Sequence, residues 1–273
     1  MKNSASLRLD VIDRPEQLAP LRARQLADEL MRISFRATYG TQRDSYDPGA
    51  EAWRRWYMSK GARPQDYDRL VLVYDGQFLA HFAALDLIQG LQEGVTILWV
   101  HVAMTDPDYQ GSGALLLAAK ALLNPEGLAL LGDELYLVFR TANPKLYEAM
   151  RTLRSTFTPD GFYGDAWYPQ IAPGGTMVPV PANITELAAC LAARLSPNHE
   201  FVRDTFVIKG CFQDFDPLWQ DLDEFPCRNA MTKDYFTKNL DNSNQDGLMI
   251  IVQIVRPTDC REPQKIATDA ESA

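Results

Sequence analysis

The sequence predicts a mixed α/β (α+β) fold, in which a mostly antiparallel sheet contains one central parallel βαβ pair. One indication is the dipeptide Asp75-Gly76 between two apolar runs, because Asp-Gly supplies the positive φ angles of a tight hairpin turn. The other is an almost continuous apolar run at 96–104, which leads through glycines into a helix-forming run and then another apolar strand. That order is typical of a βαβ unit, whose two strands are parallel.

The remaining elements are predicted from apolar periodicity and from capping residues. Asn143-Pro144 opens a helix, since Asn caps it and Pro fits the first helical position. The predicted strands are 7–12, 70–74, 78–88, 96–104, 135–139, 204–212 and 247–255, and the predicted helices are 15–36, 48–60, 114–123, one from 143, and 185–195. The proline-rich and glycine-rich segment 169–181 is expected to form a loop or lid. We expect one domain over 1–260 and a disordered tail over 261–273.

The composition narrows the class of protein. The chain has 273 residues, 46% hydrophobic and 23% charged, with a formal net charge of −9, which is ordinary for a globular protein and excludes disorder, collagen and coiled coil. The negative charge argues against nucleic acid as the main partner, because Lys and Arg contacts to phosphate supply most non-specific affinity. No apolar stretch approaches the roughly 20 residues that span a bilayer, so we expect a cytoplasmic protein without membrane contact.

The four cysteines are scattered through the C-terminal third, without a CxxC pair or a histidine at ligand spacing. Neither a zinc site nor a disulfide framework is predicted, and reduced thiols are expected.

The turn after the 96–104 run, Tyr109-Gln110-Gly111-Ser112-Gly113, leads into the helix at 114. Free N–H groups at a helix N-terminus, together with the helix dipole, favour phosphate binding. A Walker loop would need a lysine after its last glycine, and a dinucleotide fingerprint would need a third glycine where Leu116 stands. A nucleophile elbow, GxSxG, is excluded because Ser112 lies directly between its glycines.

This turn resembles the pyrophosphate loop of the GNAT superfamily of N-acetyltransferases, Gln/Arg-x-x-Gly-x-Gly/Ala. Gln110 and Gly113 match the pattern, and Leu115 stands where Gly or Ala is usual. The hairpin at 73–80 and the segment 140–148, in which an Asn opens a helix and Leu-Tyr-Glu comes next, are similar to further segments of that family. The resemblance covers residues 7–162, and 163–260 is an elaborated C-terminal part.

The resemblance implies an acyl-CoA-dependent N-acyltransferase that transfers an acetyl group from acetyl-CoA to an amine by direct attack. Backbone N–H groups at the end of the central strand would polarise the thioester carbonyl, and the glycine turn would hold the CoA diphosphate. The residues implied to bind the co-substrate are Ala103, Met104, Thr105, Gln110, Gly111, Ser112, Gly113, Ala114, Leu115 and Asn143. The implied acceptor is a small-molecule or peptide amine, and no metal is implied.

Two side chains are candidates for proton transfer. His101 is the only imidazole on the central strand and could take the amine proton; the simpler interpretation is a packed histidine bonded to a neighbouring strand. Tyr147, in the first turn of the helix opened by Asn143, could protonate the departing thiolate, or could be an amphipathic tyrosine at the core edge. Asp86 and Glu93 are alternative bases or water-chain partners.

Two further segments could contact the acceptor, and two alternative functions remain open. The aromatic and cationic residues 53–57 form either an acceptor wall or a solvated helix face, and the acidic residues in 214–224 either dock a cationic amine or lie in a solvated loop. One alternative function is an enzyme similar to N-acyl amino acid synthases, which takes its acyl group from an acyl carrier protein and would tolerate Leu115. The other is a GNAT-like domain that binds a ligand or partner without turnover.

Overall fold

The computed structural model describes residues 7–39, 63–122, 134–156, 167–213 and 227–254. Its strands are β1 Leu7–Ile12, β2 Arg69–Asp75, β3 Phe78–Gln89, β4 Val95–Thr105, β5 Glu134–Thr141, β6 Trp167–Tyr168, β7 Ile171–Ala172, β8 Thr176–Met177, β9 Phe201–Val202, β10 Val207–Ile208 and β11 Gly247–Ile254. Its helices are α1 Pro20–Tyr39, α2 Ala114–Leu122, α3 Pro144–Thr156, α4 Ala182–Leu195 and α5 Ala230–Asn239.

A mixed sheet organises these elements. Its strand order is β1-β2-β3-β4-β5-β11-β10-β9, and β6 also pairs with β11. In the described part of the chain every pairing is antiparallel except that of β4 with β5, which is parallel from Val95↔Glu134 to Val100↔Phe139. The predicted fold class is confirmed.

The β2–β3 hairpin has a two-residue loop, Gly76-Gln77, between the paired residues Asp75 and Phe78. Gly76 has φ +60°, which is the conformation that a type II′ turn needs at its first loop position. The predicted hairpin is therefore confirmed, with Asp75 as the last strand residue rather than part of the loop.

Helices cover both faces of the sheet. Leu26, Leu30 and Ile33 of α1 pack in one cluster with Leu70 and Leu72 of β2. On the opposite face, α2 packs in the cluster that contains Val71 and Val73. Successive strand residues face opposite sides, and both faces of β2 are buried, which is why its central residues 70–74 are all apolar or aromatic.

Three local predictions are wrong. Helix α1 begins at Pro20, because Pro15–Gln17 form a separate 3-10 turn. Within the predicted strand 204–212, β10 alone is extended, since Phe206 (φ +57°) and Gly210 (φ +64°) adopt conformations that a strand cannot continue. The loop predicted at 169–181 contains the small β7–β8 hairpin.

Helix α5 was not predicted. Its sequence is mostly polar, and its buried side chains are Thr232, Tyr235 and Phe236. The predicted helix at 48–60, the acidic residues of 214–224 and the tail at 261–273 lie outside the described residues. Within the described residues, no helix combines the length and hydrophobicity that crossing a membrane requires.

Candidate active site

The two parallel strands separate at their carboxyl ends. They pair as far as Val100 and Phe139; beyond that point β4 continues to Thr105 beside β3, and β5 continues to Thr141 beside β11. A gap therefore opens in the sheet between β4 and β5. Ligands of sheets with parallel strands bind at such carboxyl ends.

One extra residue is inserted into β4 where the gap begins. Ala84 pairs with Val102 but Leu85 pairs with Val100, so His101 is left without a partner in the ladder. This is a β-bulge, a device that redirects a side chain and recurs beside active sites.

The redirected imidazole meets a carboxylate on the neighbouring strand. His101 Nε2 lies 2.6 Å from Asp86 Oδ2, and the two side chains are 26% and 27% exposed. A carboxylate can only accept, so a neutral His101 carries its proton on Nε2 and presents the lone pair of Nδ1. Within the described residues Nδ1 has no hydrogen-bond partner. A carboxylate-oriented imidazole with an open nitrogen is the arrangement of a general base.

Two aromatic rings surround His101. The ring centroids of Tyr67 and Trp99 lie 5.5 and 5.8 Å from that of the imidazole, and burial raises the pKa of the Tyr67 phenol.

Two buried polar atoms lie beside His101, on Trp99 and Asp86, which are directly opposite each other in the β3–β4 ladder. Trp99 Nε1 and Asp86 Oδ1 are both buried without a hydrogen-bond partner among the described residues. Because an unmade buried hydrogen bond costs about 1–3 kcal/mol, a ligand could stabilise both atoms.

Backbone N–H groups of β4 face the gap. Asp106 N donates to Ala80 O on β3, and N–H groups alternate between the two edges of a strand. The N–H of Met104 is therefore directed to β3, whereas those of Ala103 and Thr105 are directed to the side from which β5 has departed.

The glycine turn follows β4 after a short 3-10 turn at Pro107–Tyr109. Gly111 and Gly113 have φ +77° and +90°, and a Cβ added at either would meet nothing within 4 Å. Among the described residues, no acceptor is bonded to the N–H of either glycine. Helix α2 then begins at Ala114, whose N–H is 3.4 Å from Ser112 Oγ. The turn thus offers open space beside several N–H donors at a helix N-terminus.

The start of α3 lies beside this turn. Asn143 Oδ1 accepts from the N–H groups of Lys145 (2.8 Å) and Leu146 (3.3 Å), which confirms the predicted cap. Lys145 Nζ donates to Gln110 Oε1 at 3.4 Å. The first turn of α3 and the glycine turn therefore flank the same end of the gap.

A buried carboxylate anchors the lead-in to the turn, and the sequence did not indicate this role. Asp106 is 2% exposed; it accepts from Asp108 N (3.0 Å) and forms ion pairs with Arg36 Nε (2.9 Å) and Arg32 Nη1 (3.4 Å). Arg36 also pairs with Asp108 at 2.8 Å. The available signal was the i, i+4 spacing of two arginines on one face of α1.

The Tyr147 side chain is buried, and its hydroxyl forms hydrogen bonds within the protein. It is 1% exposed, its hydroxyl donates to Pro169 O at 3.0 Å, and Trp167 Nε1 lies 3.3 Å from the same hydroxyl. Its ring packs edge-on against Trp167 and Phe236. These contacts favour the second of the two interpretations of Tyr147, an amphipathic tyrosine at the edge of the core.

Glu93 and two further histidines lie at other positions in the structure. Glu93 is exposed in the β3–β4 turn. His81 is buried, with its Nδ1 2.8 Å from Thr105 Oγ1, and burial lowers its pKa to about 3. His199 Nδ1 lies 3.0 Å from Lys209 O. Residues 53–57 lie outside the described residues. In the described ranges, no group of three or more His, Cys, Asp and Glu is placed to hold a metal ion.

No family model and no curated protein matches this chain. Solved structures do match it. One is a GCN5-related N-acetyltransferase from Kribbella flavida, at 17% identity over 55% of this chain and 34% of that chain, with a TM-score of 0.35. The chain therefore spans about a third of that protein.

Two other solved structures are similar in kind. An aminoglycoside acetyltransferase from an uncultured soil metagenomic sample, in complex with sisomicin, is 14% identical over 56% of this chain and 88% of that one, with a TM-score of 0.37. A GNAT family acetyltransferase from Brucella melitensis, in complex with acetyl-CoA, is 18% identical over 48% and 75%, with a TM-score of 0.27. The structural neighbours are thus GNAT acetyltransferases. At such identities and TM-scores, the site assignment rests on the geometry described above.

Proposed function

We propose that this protein is an acyl-CoA-dependent N-acyltransferase that transfers an acetyl group to an amine by direct attack. The observation that supports it is the concentration of the required groups along one segment, 101–113. That segment contains the oriented imidazole, the N–H groups facing the gap and the open glycine turn.

The residues present suit an acyl-CoA. Acetyl-CoA would supply the activated acyl group as a thioester. The N–H groups of Gly111, Gly113, Ala114 and Leu115 would surround its diphosphate. The N–H of Ser112 donates to Tyr109 O at 3.1 Å, so Ser112 would contact the diphosphate through its hydroxyl. Gln110 and Asn143, at the edges of the turn, would border the diphosphate. The N–H of Met104 is directed to β3 and is not available to acetyl-CoA, so Met104 would contribute only van der Waals contact.

The chain's own groups then have distinct tasks. His101 Nδ1 accepts a proton from the acceptor ammonium, and Asp86 stabilises the imidazolium that results. The N–H groups of Ala103 and Thr105 donate to the carbonyl oxygen as negative charge develops, and one such donor is worth about 10²–10³ in rate. Overall one N–C bond forms and one C–S bond breaks; of the two protons that the ammonium loses, one ends on the thiol and one in solvent.

The proposed role of Tyr147 as a general acid has the least support from the geometry. A general acid at this position would protonate the departing thiolate, but the Tyr147 hydroxyl donates to Pro169 O. A thiolate leaves readily without a general acid, so the proposed mechanism does not depend on this residue.

We also propose that residues 1–260 form one domain and that the protein is cytoplasmic. Strand β11 pairs with β5 from Leu248 to Ile254, so both parts of the chain contribute to one sheet. Cys190, Cys211 and Cys227 are free thiols, which suits a reducing compartment.

A thermal-shift series with CoA, acetyl-CoA and longer acyl-CoAs tests the donor. Ligand at a hundred times its Kd should stabilise the protein by about 2.7 kcal/mol. Release of free thiol from the bound thioester on addition of amines then tests catalysis.

The outcomes separate the three functions. Stabilisation together with amine-dependent thiol release supports the proposal. Stabilisation without thiol release over a broad amine panel favours a binding domain. If no CoA species stabilises the protein, the proposal is wrong and a carrier-protein donor becomes the next candidate.

A further inference from the structure

A guanidinium lies beside the proposed base, on the neighbouring strand. Arg140 comes after Phe139, the last residue of β5 that pairs with β4. Val138 pairs with Trp99, and residues two apart on a strand share a face, so Arg140 and Trp99 lie on the same face of the sheet. The gap thus has His101 on the β4 side and Arg140 on the β5 side.

The Arg140 side chain is held in a defined position. Its Cζ lies 5.1 Å from the ring centroid of Trp99 and 5.6 Å from that of Phe212. Its Nη1 donates to the buried Ser196 Oγ at 2.7 Å. The guanidinium also forms a hydrogen bond with the Cys211 thiol. Stacking on aromatic rings together with these hydrogen bonds orients the planar group, whose geometry matches planar anions.

Trp99 connects this cation to the base. The His101 ring lies 5.8 Å from the indole ring, with the two ring planes near perpendicular. Trp99 is 1% exposed, and its Nε1 is buried without an acceptor in the described part of the chain. The Trp99 indole therefore has an unused N–H donor and packs against the Arg140 guanidinium. Its ring also contacts His101, the proposed proton acceptor.

We infer that the acceptor is a free amino acid, whose carboxylate binds Arg140 and the Trp99 N–H while its amine lies against His101 Nδ1. Guanidinium–carboxylate pairs are often bidentate and are among the strongest protein hydrogen bonds. An α-amino acid carries its amine and its carboxylate on the same carbon, which suits a base and a cation that both pack against one indole. This inference rests on the proposed N-acyltransferase function and names its substrate class.

A purely structural Arg140 makes a different prediction. Its contacts with Ser196 and Phe212 also join β5 to the C-terminal part of the chain. If that were its whole role, amines with and without a carboxylate would serve equally well as acceptors.

The test compares matched acceptors on the wild-type protein with acetyl-CoA. Each set contains an amino acid, its amide and its decarboxylated amine, for example phenylalanine, phenylalaninamide and phenethylamine, and thiol release is measured. Loss of a charge-assisted hydrogen bond leads us to expect a kcat/KM about 10- to 100-fold higher for the amino acid. Arg140→Gln should abolish this preference, whereas Arg203→Gln, at an exposed arginine paired with Glu186, should preserve it.

Calorimetry of the same compounds on the CoA-loaded protein gives a readout that needs no turnover. The amino acid should bind and its amide should not. Equal use of amino acid and amide, or no amino-acid binding to the wild type, overturns the inference. Amino-acid binding without thiol release from any amine would instead overturn the proposed function and support the carboxylate site. If Arg140→Gln does not fold, Arg140→Lys can be used instead. It keeps the positive charge but lacks the planar set of N–H donors, so it should lose most of the preference for the amino acid over its amide.

Discussion

The imidazole of His101 depends on one neighbour for its proposed role. Asp86 accepts from Nε2 and so leaves the lone pair on Nδ1. The alternative interpretation of His101 is a packed histidine, and such a histidine would also form a hydrogen bond with a neighbouring strand. The open Nδ1 and the position at the start of the gap are the two features that favour a chemical role.

Replacing Asp86 by Asn tests this role. The amide can donate to Nε2, which would place the proton on Nδ1 and remove the base. We expect kcat to fall by about 10²–10⁴, with CoA affinity and thermal stability nearly unchanged. His199→Gln, at a histidine bonded to a backbone carbonyl, is the control. Wild-type kcat in a folded Asp86→Asn protein would assign His101 to packing.

The buried His81 should make stability depend on pH. Burial lowers its pKa to about 3, whereas the unfolded value is about 6.5. The folded state therefore binds this proton less readily, and the free energy of unfolding should fall by about 1.4 kcal/mol per pH unit from about pH 6.5 toward about pH 3. Urea unfolding at about pH 7 and about pH 4.5 should show a larger loss for the wild type than for His81→Gln. Equal losses would contradict the assignment.

Packing between elements explains why Tyr147 is buried. Its hydroxyl joins α3 to the segment after β6, and its ring contacts α5. Tyr147→Phe should lower the free energy of unfolding by about 1 kcal/mol, the usual net value of one hydrogen bond, and should leave kcat within a few-fold of wild type. If kcat instead fell by about 10² or more at unchanged stability, the acid role would be restored.

Helix α1 and the glycine turn are joined through Asp106. Asp106→Asn keeps the side-chain oxygen that caps Asp108 N but removes the charge facing two arginines. Asp106 is buried, but Arg32 and Arg36 are 35% and 27% exposed and Arg36 keeps Asp108 as a partner. Urea unfolding should therefore show a loss of about 1–3 kcal/mol, the value of a hydrogen bond to a charged group, and the CoA Kd should rise because the turn loses its anchor. Asp108→Asn, whose carboxylate is 54% exposed, should cost at most about 1 kcal/mol. An unchanged CoA Kd in Asp106→Asn would show that the ion pairs of Asp106 do not support the CoA site.

Across the whole molecule, the sequence predicted those features that depend on a few consecutive residues. The Asp75-Gly76 hairpin, the apolar β4, the glycine turn and the Asn143 cap each depend on a few consecutive residues. The partners of Asp106, Arg140 and Tyr147 could not be predicted, because each lies on an element distant in sequence. The bulge at His101 was equally hidden, since it depends on the register between β3 and β4.

The C-terminal part shows the same limit. Strand β11 was predicted from its apolar run, but its position beside β5 is a property of the folded sheet. The polar α5 has little periodicity to reveal it, and its Tyr235 and Phe236 are buried by the surrounding fold.

The central claim is that the glycine turn after β4 binds CoA. The most direct measurement is calorimetry of CoA with the wild type, Gly113→Val and Gly90→Val. Both glycines have positive φ and open space around the Cβ position, so the two variants carry similar backbone strain. Gly90 lies in the turn before β4, at the opposite end of that strand from the gap. We predict wild-type affinity for Gly90→Val and no measurable binding for Gly113→Val. Equal CoA affinity in all three folded proteins would contradict the claim.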